Sequence, residues 1–529
     1  MAFLISNLVL LDGWRRLLVA FLAGCLASLA QAPVSWFPLL WLCVPVFIWL
    51  LDSASLGKGA KMAARSMALV GWVFGLGFFL CTFYWIGAAF LVEADKFAVL
   101  MPFALFFFAA GLALFWAAAC GLVAPLWSSS PMRIIWLALV WAALEWLRGT
   151  IFTGLPWGGL GQALTSTTVM MQALSLVGPQ SMGLIAPIIF ALPVFFFTEA
   201  SSRKTGYRLA SIAVLLFVSQ GAFGFYRLGQ PLPKPAAPVT VRIVQPNIMQ
   251  REKWKLENRS WIFSRLLALT TLDRDGYPVE KVDLFVWPET AIPFYLIEQP
   301  AGLAAIADAL PDKATLLTGA LRREVNFTNS EQVYNSIYQL SGDGTIMASY
   351  DKIHLVPFGE YLPKERWLRA IGLKHLAAQL SGFSSGTKRK LLGGDNLGKI
   401  LPLICYEIAF PSEILSYPAG ANMIVNVTND AWFGLTAGPW QHLHLAQMRA
   451  VETGLPVIRS ANTGISAVID PFGRLVAKQD LGTDGLVQDI VPARLSSTLY
   501  SRFGDSLFLF LWLLTGGLTL IKTRKSKFR

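Results

Sequence analysis

Seven long apolar runs crowd into the first 227 residues and an eighth begins after residue 505, far more continuous hydrophobic sequence than a soluble fold can bury. Crossing the hydrocarbon core of a bilayer takes about 20 apolar residues, with a range of about 17–25. The runs cover 17–32, 36–51, 66–91, 97–127, 134–147, 182–197, 209–226 and 507–521, which predicts a helical transmembrane bundle of eight spans. The charge content agrees. Only 14% of the 529 residues are charged, against about 25% in soluble proteins. The first run is followed by too much further apolar sequence, with no clear cleavage site, to be a removable leader, so it is expected to stay as a span.

The basic residues alternate along the chain. Arg15 and Arg16 precede the first run. Lys58, Lys61 and Arg65 lie between the second and third, Arg133 between the fourth and fifth, and Arg203, Lys204 and Arg208 between the sixth and seventh. Lys522, Arg524, Lys525, Lys527 and Arg529 follow the eighth, whereas the other loops carry only Lys96 and Arg148. Lys and Arg concentrate on the cytoplasmic side of membrane proteins. Both termini are therefore expected in the cytoplasm, with the segment between runs seven and eight in the periplasm of a multi-pass inner-membrane protein. The same bias accounts for the net charge of +12 without a nucleic-acid partner.

Four regions follow: a seven-span region at 1–227, a stiff Pro-rich linker at 228–238 carrying Pro231, Pro233, Pro235 and Pro238, an exported domain at 239–503, and an eighth helix with a basic tail at 504–529. In the exported domain, apolar β-branched runs at 239–244, 282–287, 315–319, 336–341, 345–350, 400–404, 423–427, 457–460 and 465–469 predict strands. Helical stretches are expected at 254–272, 303–310, 411–415 and 440–453, and the mixed order points to a layered α/β domain. Gly342-Asp343-Gly344 predicts a hairpin turn, and no phosphate-binding glycine motif is present. The stretch 372–390, with Leu373, Leu376, Leu380 and Phe383 before Lys388-Arg389-Lys390, reads as a loop, either touching lipid or plainly exposed. In the apolar region, Glu145 and Arg148 share a helix face, as an ion pair or as part of a headgroup site.

Of five cysteines, Cys25, Cys43, Cys81 and Cys120 lie in apolar runs, where Cys is a small hydrophobe. Cys405 alone lies in the exported domain, unpaired in an oxidising compartment, either as an inert buried thiol or as a reactive one. It ends a buried strand where the chain turns, and strand ends of α/β sheets face the ligand crevice. Glu289 ends another strand and Lys352 a third. Glu289 alone could be a helix-start acid, and Lys352 alone a solvated charge. The domain's histidines are His354, His375, His442 and His444, and the last two, two apart on a helix, diverge too far to make a metal pair.

Glu289, Lys352 and Cys405, in that order, within WPETAIPF, YDKIHLVPFGEYLP and CYEIAFP, resemble the carbon–nitrogen hydrolase (nitrilase) superfamily. With NVTNDAWFG, the RGTIFTGLPWGGLG loop and the flanking spans, the chain resembles the apolipoprotein N-acyltransferase family over essentially its full length. The resemblance implies an α-β-β-α sandwich from residue 239 to about 491. It implies Cys405 as nucleophile, Glu289 as general base and Lys352 as oxyanion stabiliser, with Glu360, Tyr406, Glu407 and Trp254 supporting or lining the site. It implies a membrane phospholipid as acyl donor, a diacylglyceryl apolipoprotein as acceptor, and neither metal nor cofactor. Glu289 and Glu407 are both expected to oppose thiolate formation, and Lys352 to favour it. Two other readings of the same residues are a soluble-substrate amidase, for which eight spans are excessive as an anchor, and a transporter, for which the ends-only placement of charge leaves no relay within the spans.

Overall fold

The computed structural model describes residues 2–197, 202–235, 237–273, 278–325, 331–363, 382–394 and 396–527. Leu373, Leu376 and Leu380 of the expected loop, His375, and Arg529 of the expected tail lie outside the described residues. The chain separates into two compact units, Met1–Pro231 with Thr498–Arg529, and Leu232–Ser497.

The first unit is helical. Among the described residues, five helices are long and apolar enough to cross a membrane: Phe37–Ser55, Ala60–Phe90, Ala94–Leu126, Arg203–Leu228 and Ser506–Thr523. The other three apolar runs form shorter helices, Gly13–Ser28, Met132–Arg148 and Leu174–Phe190, of 16, 17 and 17 residues. Apolar helices in lipid gain little from hydrophobic burial against one another, so close backbone approach through small residues takes over. Gly24 and Gly77 do this: a Cβ on Gly24 would lie 2.1 Å from the Phe74 carbonyl oxygen, and one on Gly77 2.3 Å from that of Phe21. Glu145 and Arg148 form the ion pair, at 2.8 Å. Trp116 Nε1 also donates to Glu145, while Arg148 donates to the carbonyls of Leu155 and Trp157 at 2.7 and 2.9 Å. Arg148 thereby holds the loop that follows its own helix.

The second unit stacks two six-stranded sheets. The first has the order β12-β1-β2-β3-β4-β5, with β1 Thr240–Gln245, β2 Leu284–Val286, β3 Thr315–Val325, β4 Glu331–Ser341, β5 Ile346–Asp351 and β12 Gly485–Ile490. The second runs β11-β10-β9-β8-β7-β6, with β6 Leu392–Gly394, β7 Gly398–Ile404, β8 Met423–Thr428, β9 Val457–Ala461, β10 Ser466–Ile469 and β11 Leu475–Gln479. In each sheet three central strands are parallel, β1-β2-β3 and β7-β8-β9, and the outer pairings are antiparallel. Side chains alternate across a strand. Leu284 and Val286 therefore join the core between the sheets, with Val241, Ile243, Ile404 and Val425, while Phe285 and Trp287 pack outward with Ile262, Leu266 and Ile306. Burial on both faces explains why these strands read as continuous apolar runs.

On the second sheet, the helix Ala437–Thr453 buries Leu443, Ala446 and Ala450 in the same apolar cluster as the strands. Its start is capped by the Thr436 hydroxyl, which accepts from the Gly438 N–H at 3.2 Å. Gly454, at φ 74°, ends it.

The strands expected from the sequence all form, and three more, β6, β11 and β12, complete the sheets. The helix expected over 254–272 begins later, as Arg259–Thr271 after the tighter turn Leu256–Asn258, and a separate turn, Gln250–Lys253, precedes both. Lys253 ends that separate turn pointing inward, and its Nζ reaches the Glu289 carbonyl at 3.1 Å and the Thr290 hydroxyl at 2.6 Å.

Candidate active site

Three strand ends converge. Glu289 follows β2 through Trp287-Pro288, Lys352 directly follows β5, and Cys405 directly follows β7. All three are buried. The turn carrying Glu289 is pressed against β3: a Cβ on Gly319 would lie 2.4 Å from the Pro288 carbonyl oxygen, 2.5 Å from the Thr290 nitrogen and 2.6 Å from the Glu289 Cα. Only glycine lets the two backbones approach so closely. Thr290, at φ 44°, and Cys405, at φ 50°, occupy the left-handed region. A β-branched residue is rarely found there. Such strain, of order 1–3 kcal/mol per residue, clusters at functional sites because surrounding structure must hold it.

Lys352 lies between two carboxylates. Its Nζ is 2.8 Å from Glu360 Oε1 and 3.5 Å from Glu289 Oε1. Asn335, on β4, spans the same pair, its Nδ2 donating to Glu289 at 2.7 Å and Glu360 at 3.2 Å. Burial alone would lower the lysine's pKa, but Glu360 and then Glu289 outweigh it and hold it above its ordinary value. Lys352 is therefore a permanent cation. Glu360 is fixed in turn by the Val356 N–H, which donates to Oε2 at 2.8 Å. The described end of the expected loop is tied here as well, with the Phe383 N–H on the Glu360 carbonyl and the Gly386 N–H on that of Lys352.

The Cys405 thiol is raised above its ordinary pKa, first by burial and then by the charge of Glu289, with Lys352 opposing. Asp430, rather than Glu407, is the second carboxylate that raises it. This corrects the expectation for Glu407. That carboxylate accepts from the N–H groups of Ile353, His354 and Ile404 at 2.8, 3.2 and 2.8 Å and from the Tyr350 hydroxyl at 2.9 Å. It is a brace between the segment after β5 and the turn after β7, which carry Lys352 and Cys405. Tyr406 packs its ring against His354 and Phe410, and His354 bonds Glu413 at 2.7 Å. Trp254 is exposed, with Lys253 Nζ 5.8 Å from its ring.

Sequence reasoning singled out neither Asn335, Lys253, Thr428, Asp430 nor Arg459, and considered His442 only as half of a metal pair. Lys253 is fully buried, and desolvation pushes its pKa down to about 8 against the pull of Glu289 and Cys405. Asp430 follows β8, a fourth strand end, so the rule that found the triad could have found it. It accepts from Thr428 at 2.9 Å and Arg459 at 2.7 Å, and lies 2.9 Å from His442 Nδ1. His442 Nε2 lies 3.2 Å from the Cys405 carbonyl oxygen.

Comparison with known proteins assigns this assembly. Residues 23–192 match the apolipoprotein N-acyltransferase N-terminal domain, and 240–499 match the carbon-nitrogen hydrolase family. The apolipoprotein N-acyltransferase of Rhodopseudomonas palustris is 40% identical over 94% of this chain and 94% of its own. The chain belongs to the apolipoprotein N-acyltransferase family. The family's proteins from Brucella melitensis and Rhizobium meliloti are 43% and 42% identical, over 93% and 98% of this chain and 92% and 97% of theirs. Apolipoprotein N-acyltransferases thus match both units of the chain, which is an acyltransferase with a nitrilase-like sandwich and apolar, membrane-type helices.

Proposed function

We propose that the chain moves a fatty acyl group from a membrane phospholipid onto Cys405, and from that thioester onto the α-amino group of a diacylglyceryl-cysteine at a lipoprotein's amino terminus. The observation that carries this reading is a strained, buried thiol flanked by a carboxylate and a permanent cation at converging strand ends.

The chemistry follows from those groups. Glu289 takes the thiol proton, and the thiolate attacks the ester carbonyl carbon. Lys352 stabilises the oxyanion, a contact of a kind worth roughly 3–4 kcal/mol. The carbon–oxygen bond to glycerol breaks, Glu289 returns the proton to the leaving oxygen, and lysophospholipid departs. The acceptor amine, with an ordinary pKa of about 7.7–8.0, attacks the thioester in its neutral form, its ammonium proton already lost to solvent, and gives up one further proton to Glu289 as the carbon–nitrogen bond forms. Sulfur leaves as thiolate and recovers its proton from Glu289. Glu360, Asn335 and Glu407 position these groups. Tyr406 and Trp254 line the approach.

In the same reading all eight apolar runs are spans of the inner membrane, flanking a linker at 228–238 and a catalytic domain at 239–503. The domain is periplasmic and both termini are cytoplasmic. The alternation of basic residues supports this orientation, and the lipid nature of both substrates supports the membrane setting.

Incubation of the purified protein with phospholipid alone, followed by intact mass measurement, tests the first half. The expected product is one acyl mass, removed by hydroxylamine and absent in Cys405→Ala. No adduct across several phospholipids would favour a soluble-substrate hydrolase, and acyl transfer retained by Cys405→Ala would sink the mechanism.

A further inference from the structure

Thr428, the last residue of β8, is fully buried, with its hydroxyl between two acceptors. Its Oγ1 lies 3.2 Å from Cys405 Sγ and 2.9 Å from Asp430 Oδ1. A hydroxyl carries one hydrogen, so it can serve only one of them at a time. Asp430 is also held by Arg459 at 2.7 Å and faces His442 Nδ1 at 2.9 Å. Burial alone would raise the pKa of Asp430, yet Arg459 and His442 hold it at about 2, so it remains a carboxylate. Losing the Thr428 bond leaves it those two partners.

We propose that Thr428 is a catalytic residue whose hydroxyl hydrogen switches from Asp430 to Cys405 Sγ whenever the sulfur becomes a thiolate. The inference rests on Cys405 being the nucleophile. A neutral thiol or a thioester sulfur is a weak acceptor, so the hydrogen then rests on the Asp430 carboxylate. When Glu289 removes the thiol proton, the sulfur gains a full charge and outcompetes a carboxylate that has two other partners. Rotation about the Thr428 Cβ–Oγ1 bond is enough. No covalent bond forms or breaks in the switch, and the thiol proton still goes to Glu289. The same rotation recurs when sulfur leaves as thiolate during transfer to the amine, so one hydroxyl serves both half-reactions. Between turnovers it leaves the thiol in its protonated, unreactive form.

The charged or titratable groups facing this sulfur come from five segments. Glu289 follows β2, Lys352 follows β5, Lys253 ends the turn Gln250–Lys253, Asp430 follows β8, and His442, on the helix Ala437–Thr453, faces the Cys405 carbonyl. Glu289 and Asp430 oppose the thiolate, Lys352 and the Thr428 hydroxyl favour it, and the Lys253 charge is itself supported by it. Removing the hydroxyl while keeping every one of these charges isolates its share.

The test compares the full-length protein with Thr428→Val, of matched shape but no hydroxyl, and with Thr428→Ser. The rate of Cys405 alkylation by iodoacetamide is measured against pH, read at the Cys405 peptide because the other four cysteines lie in the helical unit. Thioester formation from phospholipid and transfer from a preformed thioester to an amine are timed separately. A hydrogen bond to a charged group predicts that Thr428→Val moves the alkylation profile up by about one pH unit and slows both half-reactions about tenfold or more. Thr428→Ser should restore all three. If Thr428→Val does not fold, Thr428→Ala, which also lacks the hydroxyl and adds no bulk, is read in the same way. An unchanged alkylation profile with both half-reactions within twofold of the parent would overturn the proposal. Acyl transfer surviving in Cys405→Ala would instead overturn the reading beneath it, whatever Thr428 does.

Discussion

Replacing Gly319 by Ala should damage catalysis far more than stability, although residue 319 touches no reacting atom. The added Cβ would meet three backbone atoms of the Glu289 turn at 2.4, 2.5 and 2.6 Å. Ordinary contact between non-bonded heavy atoms is about 3.5 Å, so the turn must retreat by roughly 1 Å. The retreat cannot be absorbed by a side-chain rotation, because all three atoms are main chain. Overpacking of this kind costs about 1–3 kcal/mol. A misplacement of about 1 Å in a catalytic group costs about 100-fold in rate. The expected outcome is a fall of a few degrees in Tm with a drop of about two orders of magnitude in acyl transfer. Thermal unfolding and the rate of thioester formation on the same preparation would show both. A control is Gly111→Ala in the helix Met101–Val123, where the new Cβ meets nothing within 4 Å, and whose activity should stay at the parent level. Full activity in Gly319→Ala would refute the idea that β3 sets the position of Glu289.

Glu289→Gln separates thiol reactivity from catalysis. Loss of the proposed general base should reduce acyl transfer by about 10²–10⁴-fold, while loss of the charge that raises the Cys405 thiol should speed its alkylation at neutral pH. Both rates falling together would argue that Glu289 acts only structurally. Asp430 predicts an acid limb. Its folded pKa of about 2 lies below the ordinary value of 3.8, so its contribution is complete above about pH 4 and is lost as pH falls through about 2. The shift corresponds to roughly 2 kcal/mol. In Asp430→Asn, stability measured between pH 4 and 2 should fall less steeply than in the parent, and an unchanged slope would contradict the assignment.

What the sequence determined by itself was set by patterns short enough to read along the chain. An apolar run is a local property, so the membrane-type helices were legible, although three of the eight fold as helices of only 16 or 17 residues. The central strands were legible because burial on both faces leaves unbroken apolar segments. The short strand β6 and the half-exposed β11 carry no such signature. The family motifs drew attention to Glu289, Lys352 and Cys405, since each ends a readable strand.

Tertiary structure alone decided what surrounds it. Glu407 lies two residues from the thiol in sequence, yet packing commits it to three backbone amides and Tyr350. Asp430, 25 residues beyond the thiol, acts on the sulfur instead. Lys253 becomes part of the site only because the turn Gln250–Lys253 directs its ammonium onto the Glu289 carbonyl and the Thr290 hydroxyl. Hydrogen bonds and charges act through distances in space, and the convergence of four strand ends from two stacked sheets leaves no period or spacing in the sequence from which those distances could be read.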